Sequence, residues 1–208
     1  MAPNKIADLY IIYSNRDDFS KMLALLKKLH YNVIAVEGLK ERVISNEMNI
    51  RILRRVTLEA SNENEAKRKL RGIKQRYDIV ALKPRSYGVA RLAARDSRVD
   101  LIPVDEDTLR YVDLSEIRLL KGSRGAFEFS LSTLYRNRYN ARFVGVLQKK
   151  LRLLIRYDAP MVISSGARNI YELWHPKQVI GLLMLYGVDE YKALEAISFT
   201  PLKVLNTK

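Results

Sequence analysis

Asp78-Ile-Val-Ala-Leu-Lys-Pro-Arg-Ser86-Tyr-Gly-Val-Ala-Arg-Leu-Ala-Ala-Arg-Asp96-Ser-Arg-Val99-Asp-Leu-Ile-Pro-Val104 reads as strand, helix, strand. Asp78–Leu82 and Val99–Val104 are apolar runs too short for helices and rich in Val, Ile and Leu, as buried parallel strands are. Ser86–Asp96 has helical spacing between them. A strand returning through a helix pairs in parallel, by a right-handed crossover.

The same unit recurs on both sides. Six more runs read as strands: Ala7–Ile12, Val33–Glu37, Ile50–Leu58, Arg110–Asp113, Ala126–Leu131 and Met161–Ser164. Helical patterns occupy Asp17–His30, Asn62–Arg76, Asn137–Tyr157, His175–Tyr186 and Asp189–Ile197. Eight strands alternating with helices predict a closed (β/α)8 barrel, and an open doubly wound sheet is the alternative. The 208 residues suit one α/β domain, 1–208, near the lower length limit for that barrel.

Composition narrows the function. Lys and Arg total 37 against 23 Asp and Glu, a formal net charge of +14, which calls for a polyanionic partner. There is no cysteine, so disulfides and thiolate metal sites are excluded. No apolar run is long enough to span a membrane and no signal peptide is evident, so a cytoplasmic location is expected.

The charge is uneven. Asp100 to Glu116 holds six acids and one base, whereas Arg118 to Arg156 holds ten bases and one acid, +9 of the +14. Arg138, Arg142, Lys149, Arg152 and Arg156 fall on one helical stripe, about 27 Å long at 1.5 Å per residue. Val144, Leu147, Leu151 and Leu154 form a second stripe, roughly opposite. Like charges at this spacing destabilise an isolated helix, and a phosphate backbone relieves them. Arg51, Arg54 and Arg55, with Lys40 and Arg42 nearby, make a second basic cluster, with a solvated strand face equally compatible.

Two loops suit phosphate: Gly122-Ser-Arg-Gly125 and Ser164-Ser-Gly-Ala-Arg168, although a plain turn explains each as well. Catalytic machinery is sparse. The two histidines, His30 and His175, are too few for a His-rich metal site, and neither a nucleophile elbow nor a Walker loop is present. Glu37, Glu59 and Asp113, near strand ends, read as ion-pair partners.

Ala126-Phe-Glu-Phe-Ser-Leu-Ser-Thr-Leu-Tyr135, the basic helix, Met161-Val-Ile-Ser-Ser-Gly-Ala-Arg168, Leu173-Trp-His-Pro176, Val179-Ile-Gly-Leu-Leu183 and Gly187 follow in an order that resembles ribonuclease P protein component 3. That is the archaeal family related to the human thirty-kilodalton subunit. The motif match covers Ala126 to Ser198, while the first half agrees in element order alone. The resemblance implies a TIM-like barrel akin to the polymerase and histidinol phosphatase superfamily without its metal centre. It implies an RNA-binding subunit of an endoribonuclease that matures the 5′ ends of precursor tRNA. The RNA, with Mg²⁺, would perform the hydrolysis, no cofactor would be held by the protein, and a small α/β subunit would be a partner. Precursor tRNA would be met indirectly and a membrane not at all.

Position by position, the resemblance and the charge pattern together nominate Lys83, Arg85, Arg124, Arg136, Arg138, Arg142, Lys149, Arg152, Arg156, Ser164, Ser165, Arg168 and Lys177 as RNA contacts. Trp174 and His175 stand where family members often have arginine before the proline, and Leu114 stands where some have histidine. The competing reading is a metal-dependent phosphoesterase on the same barrel; a general nucleic-acid coat is the third.

Overall fold

A computed structural model describes residues 5–39 and 49–206; Lys40 and Arg42 of the second basic cluster lie outside them. The strands are β1 Ile6–Ile12, β2 Tyr31–Glu37, β3 Arg51–Ala60, β4 Ile79–Pro84, β5 Leu101–Val104, β6 Ala126–Ser130 and β7 Met161–Ser164. The helices are α1 Arg16–Lys28, α2 Glu63–Lys69, α3 Tyr87–Arg95, α4 Leu114–Lys121, α5 Leu131–Arg136, α6 Ala141–Arg156, α7 Pro176–Leu185, α8 Glu190–Ile197 and α9 Phe199–Asn206. The seven strands pair in parallel in chain order, β1 to β7.

The sheet curls until its edges meet. Beyond β7, Gly166 donates its N–H to the Tyr10 carbonyl at 2.8 Å, and Ile12 donates to the Ala167 carbonyl at 2.9 Å. Ile11 and Ala167 form a parallel bridge. The chain is thus an α/β, TIM-like barrel closed by one short seam. Gly166 permits the seam: its φ is +66°, and a Cβ there would stand 2.5 Å from Ser132 Oγ.

Seven strands, not eight, build the barrel among the described residues. The expected strand Arg110–Asp113 is instead a 3₁₀ turn at Leu109–Tyr111 leading into α4. The Asp113 carboxylate accepts the Ser115 N–H at 2.8 Å, a cap that starts a helix where an apolar run suggested a strand. The expected helix Asn137–Tyr157 starts later, at Ala141, and a separate short helix precedes it. Ser130 caps α5, which takes Leu131 from the expected strand, and Asn140 caps α6 after a turn.

Inside the barrel, small and branched side chains alternate: Ala7, Leu9, Val33, Ala35, Leu53, Ile79, Ala81, Leu101, Ala126 and Val162. Val204 and Leu205 of α9 pack against them. A larger apolar layer lies between the strands and helices α2 to α8, and α1 has its own against β1 and β2.

At the seam Asp8 is fully buried, and its Oδ1 accepts the N–H groups of Ser165 at 3.0 Å and Tyr10 at 3.1 Å. Burial pushes the Asp8 carboxyl up from 3.8 to about 6, against the opposing pull of the Ser165 and Tyr10 hydrogen bonds. The folded protein therefore holds this proton more tightly than the unfolded chain. The contribution is stabilising at low pH and is lost as pH rises from 3.8 through about 6. Asp8→Asn keeps the Oδ1 acceptor and removes the charge. It is expected to raise stability at neutral pH by about 2 kcal/mol and to flatten the profile below. Urea midpoints from pH 4 to 7 for both proteins check this; parallel profiles refute it.

Candidate nucleic-acid interface

α6 packs Phe143, Leu147, Leu151 and Leu154 onto the barrel and leaves Arg142, Lys149, Arg152 and Arg156 exposed. Among the described residues none of these four meets a carboxylate. Arg142 occupies the first turn, where the helix dipole disfavours a cation and where α1, α2, α4 and α8 carry acids. From Arg142 to Arg156 the cationic face runs about 21 Å.

Arg138 does not begin this helix, as expected from spacing. It lies in the turn before Asn140, its guanidinium 3.9 Å from the Tyr135 ring centroid and 4.4 Å from that of Tyr139. It also donates to the Tyr135 carbonyl at 2.7 Å. Spacing misplaced it because the Asn140 cap restarts the helix.

The C-terminal ends of the strands surround a cavity of about 690 Å³. Its floor is a buried ion pair that sequence reasoning missed. Arg55, 1% exposed, donates to both Glu128 oxygens at 2.6 Å and to the Leu9 carbonyl at 2.6 Å, with the Tyr10 ring 3.9 Å away. Burial alone would lower the Arg55 pKa; Glu128 outweighs it, and the group stands above its ordinary value. The expected surface cluster of Arg51, Arg54 and Arg55 is therefore divided: Arg51 is exposed, Arg54 approaches Asp78 at 3.9 Å, and Arg55 points inward. A lone Glu128 in a basic stretch was the available signal.

Ser164 and Ser165 are not presented to a ligand. They are 1% and 3% exposed: Ser164 donates to Glu128 at 2.7 Å, and Ser165 Oγ bridges the seam between the Tyr10 carbonyl and the Ala167 N–H. Arg168, just beyond, is exposed and lines the cavity with Arg136. Arg136 leans on the Ser132 carbonyl and Thr133 hydroxyl, both at 3.3 Å. Lys83 pairs with Asp105, and Arg85 with Glu59 and with Asp107 at 2.8 Å, so both are neutralised by the protein itself. Arg124 is in the turn before β6, at the opposite end of the barrel from the cavity, and Lys177 is exposed in the first turn of α7.

Among the described residues no three His, Asp or Glu side chains converge as metal ligands. Acids at the mouth are already engaged: Glu128 by Arg55, Asp105 by Lys83, Glu172 by the Arg168 N–H and the Asn169 side chain, and Glu37 by the Thr57 N–H and hydroxyl. This donor set does not fit the phosphoesterase centre weighed above. No helix among the described residues is long and apolar enough to cross a membrane.

Comparison with known proteins adds four likenesses. The family described as RNase P subunit p30 matches residues 5–208. Ribonuclease P protein component 3 of Aeropyrum pernix is 30% identical over 191 residues, covering 89% of this chain and 90% of that protein. The protein of the same description from Methanococcoides burtonii is 30% identical over 165 residues, covering 76% of this chain and 66% of its own. A chain in a cryo-EM structure of archaeal ribonuclease P with mature tRNA has the same fold, with TM-score 0.78 at 20% identity over 97% of this chain and 90% of that one.

Proposed function

The chain belongs to the RNase P subunit p30 family, and from that premise we propose that it is a protein subunit of ribonuclease P whose exposed α6 face binds the RNA of the enzyme. The observation that carries this is a row of four exposed cations that meet no acid among the described residues. Neutralising phosphates releases condensed counterions, so such a face gains affinity for RNA without needing a base sequence.

In this reading the protein supports the chemistry and does not perform it. The RNA, with Mg²⁺, cleaves precursor tRNA, and the barrel, acting as one domain, stabilises the folded RNA beside a small α/β subunit. The absence of cysteine suits a reducing cytoplasm.

Reconstitution tests the proposal. Ribonuclease P RNA and the other protein subunits are assayed on precursor tRNA with and without this chain. Adding the chain is expected to raise cleavage at the mature 5′ end and to lower the Mg²⁺ requirement. Equal rates in both samples would reject it.

A further inference from the structure

The barrel mouth has features that the α6 face does not explain. Tyr135, at the end of α5, and Trp174, before α7, come from separate segments and meet edge to face with centroids 6.5 Å apart. Tyr171, on the same rim, is 90% exposed. An exposed aromatic ring on a cavity edge, beside a second aromatic pair, offers a face that a flat partner can cover.

Charge in the mouth is equally uneven. Arg55 and Lys83 are spent on Glu128 and Asp105. Glu172 accepts the Arg168 backbone N–H at 2.8 Å and the Asn169 side-chain N–H at 3.1 Å. Among the described residues the guanidinium groups of Arg136 and Arg168 then meet no carboxylate, on the rim that carries the rings. Aromatic faces interleaved with arginine are the chemistry of single-strand recognition: bases stack, and guanidinium groups meet phosphate. A cavity of about 690 Å³ lies within the range that encloses a small organic ligand. It has room for one base and its sugar and none for a duplex, whose bases have no free face.

We propose that the barrel mouth receives one unstacked nucleotide of a folded RNA, its base against Tyr171 and the Tyr135–Trp174 pair and its phosphate on Arg136 and Arg168. The site deepens the RNA-binding reading and rests on it, but it uses residues separate from α6. It selects loops or bulges over continuous helix, because an unpaired base is the one that can be swung out.

Trp174 is the chain's one tryptophan, so the site carries its own reporter. The probe is an oligoadenylate of about five nucleotides, within the span of a single-strand groove. It is added to the full chain while Trp174 emission and, in separate samples with an end-labelled probe, anisotropy are followed. Quenching is expected for the single strand and not for the same sequence in a perfect RNA duplex. Arg168→Glu and Tyr171→Ala, both at exposed positions, are each expected to raise the dissociation constant about tenfold. No binding, binding without quenching, or variants within a factor of two of the parent would overturn the nucleotide site. Ribonuclease P RNA is titrated in parallel: if it still binds through α6, only the mouth has failed, and if it does not, the broader reading has failed too.

Discussion

Reversing Arg142, Lys149 and Arg152 to glutamate is expected to lower affinity for ribonuclease P RNA by about 100-fold or more, with the log–log salt dependence shallower by about 2 to 3. The three side chains are exposed, and none meets an acid among the described residues, so the folded protein loses no ion pair. Arg142→Glu also places a negative charge in the first turn of α6, where the dipole favours it, so the helix itself is not weakened. Thermal midpoints should therefore stay near the parent value while binding collapses. That separation makes the result decisive: surface changes of this kind leave stability within about 0.5 kcal/mol. Filter binding across a salt series supplies the measurement. Unchanged affinity with an unchanged slope would mean that the cationic face is only solvated.

Glu128→Ala is expected to cost about 3–5 kcal/mol, a large share of the 5–15 kcal/mol typical of a folded domain. The carboxylate accepts two Arg55 N–H groups and the Ser164 hydroxyl inside the barrel. Its removal leaves the buried guanidinium without its paired carboxylate, held by the Leu9 carbonyl, the Thr57 hydroxyl and the Tyr10 face, with Glu37 acting on it from beyond Thr57. Replacing both partners with apolar residues, Arg55→Met with Glu128→Leu, removes the charges together and should recover most of the loss. Denaturant unfolding of the two single variants and the double variant reads the coupling. A Glu128→Ala penalty below about 1 kcal/mol would show that the pair does not hold the barrel. The pair also joins β1, β3, β6 and β7 beneath the mouth, so the single variant should disorder the cavity rim as well.

The two results probe different kinds of sequence information. The α6 face was legible because helical periodicity places apolar and basic residues on opposite sides whatever the neighbours are. Arg138 shows the limit of that reasoning: one Asn140 cap moved it off the stripe and onto two tyrosine rings. Arg55 shows a deeper one. Three arginines within five residues look like a surface, and only a partner 73 positions away reverses the reading for one of them. Lys83 and Arg85 were nominated by the family resemblance and turned out to be paired with acids from β3 and the loop after β5.

Local pattern alone determined the parallel α/β architecture, the helix that carries the cationic face and the excess of positive charge, since each depends on spacing along the chain. Tertiary structure decided the closure into seven strands, the burial of Ser164, Ser165 and Arg55, and the gathering of Tyr135, Tyr171, Trp174 and Arg168 around one cavity. Those depend on which distant residues meet once the sheet curls, and neither periodicity nor composition encodes that distance.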